Sequence, residues 1–155
     1  MRGKKAPKRK IKPDMKFSNV MIAKFINYLM LDGKKSVAES IVYKAFDFIL
    51  EKSKQDPLEV FDKAIKNITP SLEVKGRRIG GANYQVPVVV SGDRKQQLAF
   101  RWIIDAVRKK KGKPTYIHLA DELMAAANSE GEAIKKKLDM HKMAEANKAF
   151  AHFAR

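Results

Sequence analysis

The chain of 155 residues contains no cysteine. That excludes a disulfide framework and any thiolate metal site, and it suits an intracellular protein. No apolar run approaches the roughly eighteen residues that a membrane-spanning helix needs. The basic opening over residues 1–14 has no apolar stretch behind it, so it lacks the plan of a secretory signal. It also lacks the amphipathicity of a targeting helix. Catalytic patterns are missing too. His118, His141 and His152 do not fall at metal-ligand spacing, no His-Glu-x-x-His stretch occurs, and no serine sits in a nucleophile elbow. The acidic residues sit mostly at helix caps or on mixed-charge faces. Asp32-Gly33-Lys34-Lys35-Ser36 has the look of the end of a phosphate-binding loop, but Tyr28 stands where that loop needs its first glycine and Lys35 where it needs Ser or Thr. These absences argue against an enzyme and imply no cofactor, no metal, no membrane partner and no small-molecule substrate.

What is present is charge, and it is segregated. The formal net charge is +16. Residues 1–16 carry eight basic side chains against one acidic, and residues 75–113 carry eleven against two. The remainder holds fourteen of each sign and cancels. Solubility alone does not require such segregation. Two local positive fields attract a polyanion, so the partner expected is nucleic acid.

The hydrophobic pattern predicts a mainly α fold: a six-helix bundle with an inserted, protruding two-stranded β-hairpin arm and a disordered basic N-terminal extension. At 45% hydrophobic the chain can build a core. Residues 1–17, punctuated by Pro7 and Pro13, read as a basic arm that orders on binding, and residues 18–155 as a single helical domain. Ser18 is the expected N-cap of a first helix with Phe25, Ile26, Leu29 and Met30 at helical spacing, and Gly33 its end. Ser36 to Glu39 reads as a capping box for a second helix, with Ile41, Ala45, Phe48 and Ile49 on one face. Asp56 caps a third, Pro57 takes its first position, Glu59 can reach back, Leu58, Phe61, Ile65 and Ile68 form its stripe and Pro70 stops it.

The period then changes. Leu72–Ile79 and Tyr84–Val90 read as strands around a Gly80-Gly81-Ala82-Asn83 loop, a hairpin at about 72–90. Pro87 cannot donate to a ladder, so an exposed edge is expected there. No third strand follows, so the hairpin's base must pack on helices while its tip projects. A fourth helix runs from about Asp93 to Lys109, a fifth starts at Thr115 with Tyr116, Leu119, Ala120, Leu123 and Ala127 inward, and after Gly131 a sixth extends from Glu132 to about Phe150. Ala144, Ala146, Ala149 and Ala151 near the end permit close approach by another surface.

The fourth helix carries the sharpest signal. Arg94, Arg101 and Arg108 are spaced by seven, with Gln97 between them, so they share one face and drift only about 20° per step. Phe100, Ile103, Ile104 and Val107 form the opposite face. Only Asp105 is near enough along the helix to pair with these arginines. Trp102 reads first as core, with a second role beside Arg101 against a ribose or base. Lys75 and Arg77 alternate onto one face of the hairpin and Arg78 onto the other. Gly80 and Gly81 let backbone approach closely. Lys34 and Lys35 flank a helix start, a further phosphate contact.

These residues carry a likeness. Leu31-Asp-Gly-Lys-Lys-Ser36 with Ala38-Glu39, then Glu73-Val-Lys-x-Arg-Arg-x-Gly-Gly81 followed by Tyr84-Gln-Val-Pro87, then Arg101-Trp102, then Met143-Ala-Glu-Ala-Asn-Lys-Ala-Phe-Ala-His152 span nearly the whole chain. Together they resemble the S-seven family of small-subunit ribosomal proteins, in its bacterial or organellar form. The resemblance implies six helices with a hairpin arm between the third and fourth. It implies a structural component of the small ribosomal subunit that binds the 3′ major domain of 16S ribosomal RNA and nucleates assembly of the subunit head. It implies a place near the exit site, with tRNA and mRNA close to the hairpin and proteins of the S-nine and S-eleven families as neighbours. The ribosome would be cytoplasmic, with an organellar one as the other option.

The expected ribosomal RNA footprint is therefore Arg2, Lys4, Lys5, Lys8, Arg9, Lys10 and Lys12 in the arm, with Lys34, Lys35, Lys75, Arg77, Arg78, Arg94, Arg101, Trp102, Arg108 and Lys109 on the fold. Arg78, Gly80, Gly81, Asn83 and Tyr84 make up the part expected nearest tRNA and mRNA. Contacts should go mostly to phosphate and ribose. The competing reading is a generic architectural DNA-binding protein, which would share the charge and the arm.

Overall fold

The computed structural model describes residues 3, 6, 7 and 9–154. Arg2, Lys4, Lys5 and Lys8 lie outside the described residues. The chain divides into two compact units, residues 1–40 and 41–155. The described residues contain α1 (Val20–Leu29), α2 (Lys35–Ser53), α3 (Pro57–Ile68), β1 (Leu72–Ile79), β2 (Ala82–Val89), α4 (Gly92–Lys109), α5 (Thr115–Ala127), α6 (Glu132–Ala146) and a 3-10 helix, Lys148–Ala154. The expected mainly α fold with one inserted hairpin is what forms.

In the first unit, Arg9, Lys10 and Lys12 are exposed and outside regular structure. Asp14 is buried and closes a turn: its Oδ2 accepts the backbone N–H groups of Lys16 and Phe17, each at 3.1 Å, and its carbonyl accepts that of Ser18. The cap of α1 is Asn19, not Ser18. The Asn19 Oδ1 accepts the N–H of Met21 at 2.7 Å, while Ser18 sits at φ 51°, outside the extended range a cap adopts. Ile22, Ala23, Phe25, Ile26 and Leu29 are buried, with Met30 only partly so. Gly33 does not end this helix. It lies in the following turn at φ 73°, where Lys34 donates to the Leu31 carbonyl. The capping box at Ser36 is not made either: α2 has already begun at Lys35, and Glu39 approaches Lys35 Nζ at 3.9 Å instead.

Along α2 the buried stripe is Ala38, Val42, Ala45, Phe46 and Ile49, so Val42 and Phe46 take the places expected of Ile41 and Phe48. In the second unit Phe46 meets Phe61 of α3 with ring centroids 5.7 Å apart. The start of α3 forms as its sequence predicts, with Asp56 Oδ1 accepting the Leu58 N–H at 3.0 Å and Pro57 in the first turn. Thr69 ends the helix before Pro70. α5 packs on α3 and α4, and α6 on α4 and β1.

The hairpin loop is tighter than expected. Ala82 and Asn83 belong to β2, paired with Ile79 and Arg78, and only Gly80 and Gly81 turn the chain. Both have positive φ, 56° and 92°, which a two-residue hairpin turn matched to strand twist demands. The glycines are there for the turn. The Val90 N–H donates to the Ser71 carbonyl at 3.0 Å. Counting along the antiparallel register from that pair, Val74 and Pro87 form a non-hydrogen-bonded pair, so the missing proline donor leaves the ladder intact. The edge expected at Pro87 is present, since no further strand pairs with β2 among the described residues, although the proline ring itself is buried.

Thr115 is the first residue of α5, Pro114 stands at its cap position, and Tyr116 is half-buried. α6 stops at Ala146, short of Phe150, and the chain tightens into the 3-10 helix. Ala144 is buried, whereas Ala146, Ala149 and Ala151 are exposed. The α5–α6 junction is held by side chains from elsewhere. Asn67 Nδ2 donates to the carbonyls of Ala126 and Ala127, both at 3.0 Å, and so satisfies the end of α5. Glu122, fully buried on α5, accepts the Ala133 N–H at 2.9 Å through Oε1 and pairs with Lys110 Nζ at 2.6 Å through Oε2. Its carboxylate replaces the side-chain cap that Gly131 lacks and places negative charge at the start of α6. Gly131 itself has φ 98°, and a Cβ there would lie 2.9 Å from Glu122 Oε1.

Two substitutions probe this junction. Glu122→Ala should lower unfolding free energy by about 2–3 kcal/mol, since it strands a buried N–H and a half-buried ammonium. Gly131→Ala should cost about 1–3 kcal/mol through backbone strain and the contact with Glu122. Urea titrations check both; a loss below about 0.5 kcal/mol for Glu122→Ala would mean that water caps α6 equally well.

Candidate nucleic-acid interface

α4 is buried on most of its circumference. Leu98, Ala99, Phe100, Trp102, Ile103, Ile104, Ala106 and Val107 all lie inside. What remains outside in its second half is a narrow strip of Arg101, Asp105 and Arg108, at i, i+4 and i+7. Arg94 and Gln97 continue it toward the N-terminus, half-buried. From Arg94 to Arg108 the strip runs about 21 Å at 1.5 Å per residue. Arg101 has no ion pair or hydrogen bond among the described residues, so its guanidinium is available. Trp102 is only 8% exposed. Its indole is packed into the protein rather than laid open as a stacking surface. Lys109 ends the strip, exposed in the last turn of α4.

The hairpin supplies the second group. In its register Lys75 faces Val86 and Arg77 faces Tyr84 on one side of the sheet, and Arg78 faces Asn83 on the other. The alternation read from sequence is thus the one that forms. Arg78, Gly80, Gly81 and Asn83 are exposed at the tip. Tyr84 is not part of that tip: it lies half-buried against Phe150 and Phe153, with centroid distances of 5.2 and 5.4 Å. Arg77 Nη1 donates to the Phe153 carbonyl at 2.7 Å. The 3-10 helix is therefore clasped onto β2, and only the tip stands beyond it.

The residue that sequence reading missed is Glu73. It is 5% exposed and lies at the base of β1. Its Oε1 lies 2.9 Å from Lys75 Nζ, and its Oε2 lies 3.2 Å from Arg94 Nε and 3.1 Å from Arg94 Nη2. One carboxylate thus joins the hairpin to α4 and holds a cation from each. Burial pushes the Glu73 carboxyl up, but the hydrogen bonds and charges of Lys75 and Arg94 outweigh it and bring the group below its ordinary value. The spacing along α4 could not reveal this partner, because it comes from a different element. Also at the base, Ser71 N–H donates to His141 Nε2 at 3.3 Å, so that nitrogen carries no proton. Burial, then the nearby Lys137, lowers the His141 pKa.

Lys34 and Lys35, in the first unit, are both exposed at the start of α2. Among the described residues no group of His, Asp and Glu side chains is placed to hold a metal ion, and no helix is long and apolar enough to cross a membrane.

Residues 1–148 match the family model described as ribosomal protein S7p/S5e. The chain belongs to the ribosomal protein S7 family. It is 58% identical over 98% of both chains to the small ribosomal subunit protein uS7 of Pseudothermotoga lettingae. It is 57% identical over 99% of both chains to the protein of that name from Thermotoga maritima, and 58% identical over 94% of both to that from Desulfitobacterium hafniense. Membership makes this a structural, non-enzymatic ribosomal protein of the bacterial type, and the relatives' shared name puts the family in the small subunit. The cations of the hairpin and α4 are accordingly the surface of a ribosomal protein.

The Glu73 cluster sets an acid dependence. Its folded pKa lies below the value of 4.5 that it takes when unfolded, so its contribution to stability is complete above that pH. As pH falls below 4.5 the unfolded chain takes up the proton first, and the contribution is gone once pH passes the folded value. Urea midpoints measured from pH 6 down to 3 should fall, and less steeply in Glu73→Gln; identical slopes for the two proteins would show that Glu73 contributes nothing to acid sensitivity.

Proposed function

We propose that this chain is a primary ribosomal RNA-binding protein of the small subunit, that it binds the 3′ major domain, and that it nucleates assembly of the subunit head. Family membership supports the subunit, and the exposed arginine strip of α4 is the observation that carries the RNA-binding reading. RNA displays phosphate and ribose along its folded surface, and a row of guanidinium groups on a buried helix meets them from a backbone already in place. Arg101, Arg108 and Lys109, with Lys75, Arg77, Arg78 and Arg94, form the footprint of the second unit. Lys34 and Lys35 add contacts from the first. Residues 1–17 serve as a basic arm in which Arg2, Lys4, Lys5, Lys8, Arg9, Lys10 and Lys12 thread between RNA helices. The second unit keeps its own cations in fixed relation, so RNA segments that bind them are drawn together.

In the ribosome the hairpin tip, Arg78 with Gly80, Gly81 and Asn83, lies near exit-site tRNA and mRNA. Proteins of the S-nine and S-eleven families are its neighbours, and the bacterial ribosome that holds it is cytoplasmic. The clasp of Phe150 and Phe153 on Tyr84 sets the direction of that tip.

The test is binding to the isolated 3′ major domain of small-subunit ribosomal RNA against an unrelated structured RNA, across a salt series. A log–log slope of roughly −4 to −8 is expected for both RNAs, because several counterions are released in each case. A strong preference for the ribosomal domain at physiological salt supports the reading; equal affinity would reduce the protein to a generic polyanion binder. Within the same assay Arg101→Ala should weaken binding, reduce the salt slope by about 1 and leave the urea midpoint unchanged. Unchanged affinity would remove Arg101 from the footprint.

A further inference from the structure

We propose that Glu73 is a positioning residue for RNA recognition: by holding Lys75 of the hairpin and Arg94 of α4 on one buried carboxylate, it strengthens and sharpens binding to a polyanion despite its own negative charge. This rests on the RNA-binding reading above.

The geometry is specific. Lys75 and Arg94 belong to different elements, and each reaches a different oxygen of the same group. Two cations brought this close repel one another, and among the described residues no third strand holds the base of the hairpin in place. A carboxylate between them reverses that repulsion and pins β1 to α4. The acid is out of solvent, whereas the cations are not: the Glu73 side chain is 6% exposed, against 54% for Lys75 and 37% for Arg94. An approaching phosphate therefore meets anchored positive groups with the negative charge behind them. Arg94 uses Nε and Nη2 on Glu73, and among the described residues its other N–H groups stay free to donate, as do those of Lys75. A held cation also has less rotamer entropy to lose on binding than one free to wander.

Charge alone and positioning predict opposite results. Glu73→Gln raises the net charge by one, which by itself tightens binding to any RNA. If Glu73 positions the cations, the variant should instead lose affinity for the 3′ major domain by about fivefold, the scale of coupling between close charged groups. Affinity for an unrelated RNA should hold or rise, so the preference between the two falls. General destabilisation would lower both affinities together, and a urea titration of the free variant identifies it. Glu73→Asp keeps the buried charge but is too short to reach both partners. It should lose about threefold in preference, and it carries the test if Glu73→Gln does not fold. A wild type with no preference would overturn the functional reading and this inference with it. A wild type with preference, matched by variants that keep it, would overturn the role of Glu73 alone.

Discussion

A two-stranded hairpin cannot bury enough surface to hold itself in water, and every cation that this protein carries on its hairpin depends on how that hairpin is fastened. Three attachments do it. At the base, Glu73 ties β1 to Arg94 of α4. Beside it, Ser71 donates to His141 of α6. Farther out, the Tyr84 ring lies under Phe150 and Phe153 while Arg77 donates to the Phe153 carbonyl. The two residues of the turn, Gly80 and Gly81, are then left to reverse the chain in open space. The hairpin is thus fastened where it meets helices while Lys75, Arg77 and the tip stay exposed, an arrangement that lets a small domain hold charge at a distance from its core.

The same logic of distant groups meeting on one carboxylate recurs inside the second unit. Glu122 takes the backbone of α6 with one oxygen and Lys110 with the other. Neither acid is a surface ion pair of the weak sort. Glu122 is fully enclosed and Glu73 nearly so, and each links segments that adjoin only through tertiary structure. In a chain with so large an excess of basic side chains, a few buried acids decide where those side chains stand. The acids are few in the positively charged stretches: Asp14 closes a turn and Asp105 rides exposed on the arginine strip, while Glu73, just before the second stretch begins, holds two of its cations.

Much of this was legible in the chain itself. The periodicity placed six helices and one hairpin in the right order, because amphipathic spacing and the Gly-Gly turn are local properties. The seven-residue spacing of Arg94, Arg101 and Arg108 put them on one face, and burial of the rest of α4 makes that face the one that shows. The ends of elements were less legible. Asn19 displaces Ser18 as a cap, since neighbouring polar residues compete for the same orphan N–H groups and sequence does not rank them. Pro114 stands where Thr115 was expected, and α5 starts there with no side-chain cap hydrogen bond. The α2 stripe keeps Ala45 and Ile49 but exchanges two members: Ile41 and Val42, or Phe46 and Phe48, are similarly apolar, and what lies opposite decides which turns inward.

By itself, then, the sequence determined the fold class and the segregation of its charge, for both follow from composition and short-range period. Its long motifs determined the family as well. Only the tertiary structure decided which of the offered cations are free and which are held. Arg101 stands open, Arg94 and Lys75 share Glu73, Arg77 reaches the C-terminal backbone, and Trp102 is inside. The physical reason is range. Helical spacing speaks for neighbours within about four residues, whereas Glu73 and Arg94 are 21 residues apart, and Arg77 and Phe153 are 76 apart. Pairings of that kind exist only once the chain has closed on itself.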